Sequence, residues 1–413
     1  MFGTNLCGES AIFLKEKNTF LEDLLCSKTY GLLSAPEPVP TIQELSWLSI
    51  YFTGFAKNSA FRDKAFGIGT ALDPQEAKLK ALSEGVERWV AFSPPPRSIS
   101  RKMSLREMQA CGDMYLAPEN WHLHKNINPQ TDILWYQSVE YKNSKVRTWH
   151  PYSFTKNENT EHFWERHSSG FSCHENLDRA ILHSVQELIE RDCFLSHWWL
   201  RTPFLKIEKH TLPRSLYQDL VFYLGGLFAY IDFYGETDPM TGLVSVFTRW
   251  RYQGAKGPAF LIGGACRPDP QEALWSGLLE VLVNLNSVLI RGKTSAPGTT
   301  IDFEQVIKSP ADRIRFYQNE ESACVTDPYF EGAQSIPWED LRATSPSRPL
   351  TETFCFDMTP PMAKMAGCSV ARVTAPELIP MEGAHSQRPL WHAKIQTTNL
   401  QQRSLQTFPH PYP

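Results

Sequence analysis

The sequence predicts an α/β protein of mixed α+β type, in which three repeated glycine-turn-helix units pack on β-sheets around a central site. Three observations predict it. The pentapeptide DPQEA occurs at Asp73–Ala77 and again at Asp269–Ala273, each time opening a long helical stretch. A third stretch of the same plan stands between them, at Gly170–Asp192. Two β-rich runs, LFAYIDFY and LVSVFTRW, flank GETDPMTG between Leu227 and Trp250 and read as strand, turn and strand.

The 413 residues, 42% hydrophobic and 21% charged, suit a globular chain able to bury a large core. A net charge of −4 offers no electrostatic footprint for nucleic acid or an anionic membrane, so neither is expected as a partner. The opening MFGTNLCGESAIFLKEKN lacks the basic and apolar regions of a signal peptide, and no apolar run approaches the roughly 20 residues that span a bilayer. Nine scattered cysteines include no C-x-x-C pair and read as reduced thiols, not as a disulfide framework or a zinc site. The expectation is a cytoplasmic protein.

Along the chain, residues 1–25 form an N-terminal segment, 26–384 the main domain and 385–413 a polar, extended tail ending in PHPYP. Proline-rich stretches at Ala35–Pro40 and Ser93–Ser98 read as surface loops that bound regular elements. In each repeat a glycine (Gly67, Gly170 or Gly263) stands six residues before an Asp or Asn (Asp73, Asn176 or Asp269). The Asp or Asn suits a helix N-cap, Pro74 and Pro270 suit the first helical position, and the glycine is expected to make the turn that feeds the helix.

Helical wheels at about 100° per residue separate two faces. In the first helix Leu79, Leu82, Val86, Trp89 and Val90 form the apolar stripe, and Ala77, Lys80, Glu84, Glu87 and Ala91 lie opposite. The second sets Ile181, Val185, Leu188 and Ile189 against Ala180, Ser184, Glu187, Glu190 and Arg191. The third sets Leu278, Val281, Leu282 and Leu285 against Ala273, Gly277, Glu280 and Asn284. Glu84, Glu187 and Glu280 occupy the same register, and Glu280 is the only charged residue from Ala273 through Leu289.

Salt bridges at i,i+4, from Glu84 to Lys80 or Arg88 and from Glu187 to Arg191, would account for either of the first two helices as a solvated face. They account less well for three matching registers and for the otherwise uncharged third helix, where a buried, unpaired carboxylate must either protonate or meet a cation. Carboxylates among small neighbours suit Mg2+, which takes hard oxygen ligands and is commonly shared with nucleotide phosphates. Glu84, Glu87, Glu187, Glu190 and Glu280 would serve.

The segments SEGVERW, QELIERD and ALWSGLLEVLVN, in that order, resemble the YcaO superfamily of ATP-using peptide-modifying enzymes over most of the chain. The resemblance implies a YcaO-like ATP-binding fold with a central nucleotide site in which the five glutamates hold Mg2+ against ATP. It places Arg191 near phosphate and Lys80 among the nucleotide-binding positions. Lys80 stands where the family often has a small residue, Arg179 where an acid is common, and Val283 denies the third helix a second acid. The absence of G-x-x-x-x-G-K-[ST] agrees with that site.

Pro409, Pro411 and Pro413 match the P-x-P-x-P terminus of azoline-forming members, whose D-type subunits are cyclodehydratases. By that resemblance the carboxylate of Pro413 lies near the reaction centre and acts as a base. The implied reaction starts with attack of a Cys, Ser or Thr side chain of a ribosomally made precursor peptide on the preceding carbonyl. Phosphorylation of the oxyanion and loss of phosphate then leave a thiazoline or oxazoline. Other expectations are a ThiF-like partner that binds the leader of the peptide, a flavin-dependent azoline dehydrogenase and a homodimer within the complex. Thioamide or amidine formation, and a non-catalytic scaffold, are the alternatives.

Phosphoryl transfer of this kind needs no protein nucleophile, so Cys193 and Cys266 are expected as buried apolar thiols. His122 and His124 alternate as on a strand and read as surface histidines, with metal ligation the alternative.

Overall fold

The structure is a computed structural model. It describes residues 22–26, 31–55, 66–118, 127–140, 145–156, 159–162, 168–254, 257–292, 302–331, 334–345, 350, 353–382, 385–390, 392–399 and 407–412. His122, His124 and Pro413 lie outside the described residues.

The strands form three sheets, and each repeat begins on a strand at the edge of a different one. The first sheet is β1 (Glu37–Pro38), β2 (Ser49–Gly54) and β3 (Phe66–Ala71) in that order, and β3 feeds helix α1 (Pro74–Phe92). A short helix, α2 (Leu105–Cys111), follows the next strand, β4 (Ser100–Ser104). The second sheet uses β4 with β5 (Asp132–Glu140), β6 (Arg147–Lys156), β7 (Asn159–His162) and β8 (Phe171–His174). Its edge strand β8 feeds α3 (Leu177–Leu200).

The third sheet takes β9 (Lys206–Ile207), then, after helix α4 (Arg214–Leu224), β10 (Ile231–Thr237), β11 (Val244–Arg251) and β12 (Phe260–Arg267). The edge strand β12 feeds α5 (Pro270–Arg291). Three later strands complete the sheets: β13 (Ser335–Ile336) pairs with β9, while β14 (Phe354–Asp357) and β15 (Ser369–Thr374) lie between β5 and β8.

Helices and edge strands close a ring. Each helix packs on its own strand and reaches the edge strand of the next unit: α1 touches β3 and β8, α3 touches β8 and β12, and α5 touches β12 and β3. The starts of the helices follow their caps. Asp73 accepts from the amides of Gln75 and Glu76, Asn176 from Arg179, and Asp269 from Gln271.

The glycines depart from expectation. Only Gly170, with φ +74°, makes a turn. Gly67 and Gly263 lie inside β3 and β12, where they let strand and helix backbones touch. A Cβ on Gly69 would overlap the carbonyl oxygen of Ala77, and one on Gly263 would stand 2.8 Å from the carbonyl oxygen of Gly277. The repeated unit is thus strand–helix with a close contact, not glycine-turn-helix, in the first and third copies.

Both faces of β11 and β12 are covered: every residue of either strand except its last arginine is buried, Ser245, Thr248 and Arg249 included. On one side Val244, Val246 and Leu261 pack with Leu274, Leu278 and Val281 of α5. On the other, Phe247, Phe260 and Ile262 join an aromatic cluster with Trp198, Trp199 and Tyr412. Ala273 belongs to the first of these cores, so the small residue placed on the glutamate face serves helix packing instead. Helix α5 is long and apolar enough to cross a membrane, but 56% of its apolar window is buried and it fills the core of this fold.

Two other sequence expectations shift. The run from Leu227 to Tyr230 is 3-10 helix, so the hairpin starts at Ile231. The segment from His385 is not uniformly extended: it holds a 3-10 turn at His385–Gln387 and a short helix at Ala393–Asn399. Its end is not a solvated tail either, since Pro409, His410, Pro411 and Tyr412 are buried.

Candidate metal–nucleotide site

The three glutamates of matching register make the same hydrogen bond. Glu84 Oε2 accepts from the amide of Ile68 at 2.5 Å, Glu187 Oε2 from that of Gly170 at 3.0 Å, and Glu280 Oε2 from that of Gly264 at 2.9 Å. Each helix therefore bends its acid back onto the strand or turn that precedes it, leaving the second oxygen for other partners. In the first two units that oxygen meets an arginine one turn on: Arg88 at 2.5 Å from Glu84 and Arg191 at 2.6 Å from Glu187. The third unit has Asn284 at that position.

All five acids fall in one neighbourhood. Burial raises the carboxyl of Glu87 well above its ordinary range, with Glu187 and Glu84 adding repulsion. Burial and Glu280 push Glu190 up to about 8. Burial also pushes Glu280 up to about 7, against the opposing Gly264 amide and Arg191, with Glu84 and Glu187 repelling it further. Glu187 moves upward by burial too. Solvent still reaches 28% of the Glu84 side chain and 22% of Glu187, so the cluster opens on one side.

A cluster of this kind cannot hold all its carboxylates ionised without added positive charge. Arg88 and Arg191 supply part of it; Arg191 also donates to Ser169 Oγ at 2.7 Å, while its Nε has no hydrogen-bond partner among the described residues. Hard oxygen donors from three helices fit Mg2+, and the two guanidiniums among them fit an anionic ligand held beside the metal. Lys80 does not join them. Its ammonium pairs with Glu76 at 2.8 Å, not with Glu84, and nearly half of its side chain is exposed.

The chain's last described residues enter this cluster, through contacts the sequence did not disclose. Tyr412 Oη donates to Glu190 Oε1 at 2.5 Å, and its ring packs 4.7 Å from that of Phe194. Gly264 makes room for that hydroxyl, since a Cβ there would stand 2.7 Å from it. The backbone behind it is pinned: Arg313 Nε donates to the carbonyl of Tyr412 at 3.1 Å, and Tyr317 Oη donates to that of Pro409 at 2.5 Å. Arg313 also donates to the carbonyl of Glu382, whose carboxylate lies 3.1 Å from His410 Nε2, without hydrogen-bond geometry but fully buried with it. Of these groups only the proline spacing of the tail was legible beforehand. Cys193 and Cys266 are both buried as expected, but the Cys193 thiol is not in an apolar setting: it meets the Glu236 carboxylate at 2.9 Å.

Three helices, each fed by the edge strand of a different sheet, bring their glutamates into one cluster whose donor set would fit a divalent cation and an anionic ligand. The chain belongs to the YcaO family: the family model described as YcaO cyclodehydratase, ATP- and Mg2+-binding, matches residues 68–379. ATP and Mg2+ are accordingly its cofactors. No curated protein sequence matches the chain.

Solved structures share the fold. A heterocyclase in complex with substrate and cofactor superposes with a TM-score of 0.66 at 16% identity, over 96% of this chain and 57% of that one. The YcaO protein from Methanopyrus kandleri bound with AMPPCP and Mg2+ gives 0.60 at 16% identity, over 89% of each chain. A chain of the E. coli microcin synthetase McbBCD complex gives 0.53 at 14% identity, over 83% of this chain and 88% of that one. The present chain thus spans little more than half the length of the first of these.

Proposed function

We propose that this chain is an ATP-dependent cyclodehydratase that converts Cys, Ser or Thr of a ribosomally made precursor peptide to thiazoline or oxazoline. One observation carries the reading: the buried tail joins the acid cluster, with the Tyr412 hydroxyl on Glu190. A tail built into the site separates this reading from a thioamide- or amidine-forming enzyme, for which the proline terminus has no stated role. It also opposes a non-catalytic scaffold, which has no need of five crowded carboxylates.

Bound ATP with Mg2+ supplies the phosphoryl group that turns an amide oxygen into a leaving group. In this reading Glu84, Glu87, Glu187, Glu190 and Glu280 hold the metal, and the amides of Ile68, Gly170 and Gly264 fix the direction of three of them. Arg191, braced by Glu187 and Ser169, meets developing phosphate charge. Tyr412 orients Glu190, and the role of base falls to Pro413. The catalytic region is residues 26–384, with 385–413 its tail. In this reading a ThiF-like protein recruits the peptide and a flavin-dependent dehydrogenase oxidises the rings; of the similar chains, one is in complex with substrate and cofactor and another is part of the McbBCD complex.

The test is phosphate release with such a partner and a Cys-rich peptide, scored by loss of one water mass per ring. Ring formation that stops in Glu84→Gln and on deletion of the last three residues supports the reading. Peptide binding without ATP use contradicts it.

A further inference from the structure

A second cluster of ligand-type side chains lies farther along α3. Cys193 and His197, four residues apart on that helix, face Glu236 of β10. Cys193 Sγ stands 2.9 Å from Glu236 Oε1 and His197 Nε2 stands 3.1 Å from Oε2. The three ligand atoms all lie within 4.8 Å of one another. Tetrahedral ligands about 2.0–2.3 Å from zinc stand roughly 3.3–3.6 Å apart, so small side-chain movements would admit an ion.

The surroundings point the same way. Among the described residues no lysine or arginine pairs with Glu236; the thiol and the imidazole are its partners. The carbonyl of Thr202, which can only accept, lies 3.2 Å from His197 Nδ1 and favours the tautomer with Nδ1–H; the Thr202 hydroxyl, at 3.0 Å, can share that proton. In that tautomer Nε2 turns a lone pair toward a carboxylate, an arrangement completed either by a second proton on the imidazole or by a cation between the two. Cys193 is only 5% exposed and the His197 ring packs 4.4 Å from Phe204, whereas 31% of the Glu236 side chain is open. The group has an apolar floor and one accessible side.

We propose that Cys193, His197 and Glu236 bind one divalent transition-metal ion of the zinc class, with a fourth position open on the Glu236 side. Thiolate and imidazole select such an ion over Mg2+, which the all-oxygen cluster takes. The ion ties α3, the helix that carries Glu187, Glu190 and Arg191, to the third sheet. No cysteine spacing announced the site, because its third ligand comes from a strand 39 residues beyond His197.

The full chain, stripped with a chelator and kept in millimolar MgCl2 so that the acid cluster is filled, is titrated with Co2+ and, in competition with a chromophoric chelator, with Zn2+. The expected result is one tight equivalent with thiolate-to-cobalt charge-transfer absorption. Cys193→Ser abolishes that absorption, and His197→Gln weakens Zn2+ binding by on the order of a hundredfold. Cys266→Ser changes neither. Should Cys193→Ser fail to fold by circular dichroism, Glu236→Gln replaces it, losing affinity but keeping the thiolate absorption. No tight equivalent, or binding that survives these substitutions, overturns the proposal and leaves a hydrogen-bonded trio.

Discussion

The first two strand–helix units and the third differ at two positions that set the charge of the site: Glu87 and Glu190 are matched by Val283, and Arg88 and Arg191 by Asn284. Glu84 and Glu187 each have an arginine one turn on, whereas Glu280 has Asn284. In the first two units the ion pair leaves both acids inside the cluster proposed to hold the metal, so it does not exclude the functional reading. In the third, the strand amide of Gly264 and the charge of Arg191 favour the ionised Glu280, and a bound cation would offset the remaining repulsion from Glu84 and Glu187. Each unit thus carries one more acid than arginine at these positions, and the third reaches that balance without an ion pair of its own.

The comparison breaks most directly at the acids. Glu280→Gln and Glu187→Gln should each lower peptide-dependent ATP turnover by on the order of a hundredfold or more. If Glu187→Gln alone did so, the third unit would be a packing helix. Next in size is the strand–helix contact: Gly69→Ala, which drives a Cβ into the Ala77 carbonyl, should cost about 3 kcal/mol in urea unfolding.

Asn284→Arg would give the third unit the cation it lacks. A guanidinium competing for Glu280 should weaken Mg2+ binding roughly tenfold, measured by calorimetry. Tyr412→Phe, which removes the hydroxyl from Glu190 but keeps the ring, should lower turnover by roughly tenfold with unfolding nearly unchanged.

A pH dependence follows from the raised carboxyls. Glu190 and Glu280, held near 8 and 7, keep protons that the unfolded chain gives up near its ordinary glutamate range. The metal-free protein binds more protons folded than unfolded in that window, so its stability is greatest below the unfolded value and falls as pH rises toward 8. Mg2+, which needs the ionised forms, should therefore raise the melting temperature more at pH 8 than at pH 5.5. The smallest effect belongs to Lys80→Ala, which loses an exposed pair with Glu76 and should change stability by less than about 0.5 kcal/mol and nucleotide binding not at all.

The legible part of the molecule was the local part. Caps at Asp73, Asn176 and Asp269 and the register of three glutamates follow from spacing within single helices. Gly67 and Gly263 were misread as turns because a glycine that lets two backbones touch leaves the same mark in a sequence as one that bends the chain. Tyr412, Arg313, Glu382 and His410 stayed hidden because they meet only through the path of the tail, which no periodicity encodes. Cys193, His197 and Glu236 were missed for the same reason, their ligand set being split between a helix and a strand.

The central claim is that three helices present their acids to one shared metal–nucleotide site. Mg2+-dependent binding of a non-hydrolysable ATP analogue, measured for Glu84→Gln, Glu187→Gln, Glu280→Gln and their pairs, tests it most directly. One shared site predicts that every single substitution weakens binding at least tenfold and that the pairs lose far less than the sum of their parts. Unchanged binding in any one of the three, or strictly additive losses, would contradict it.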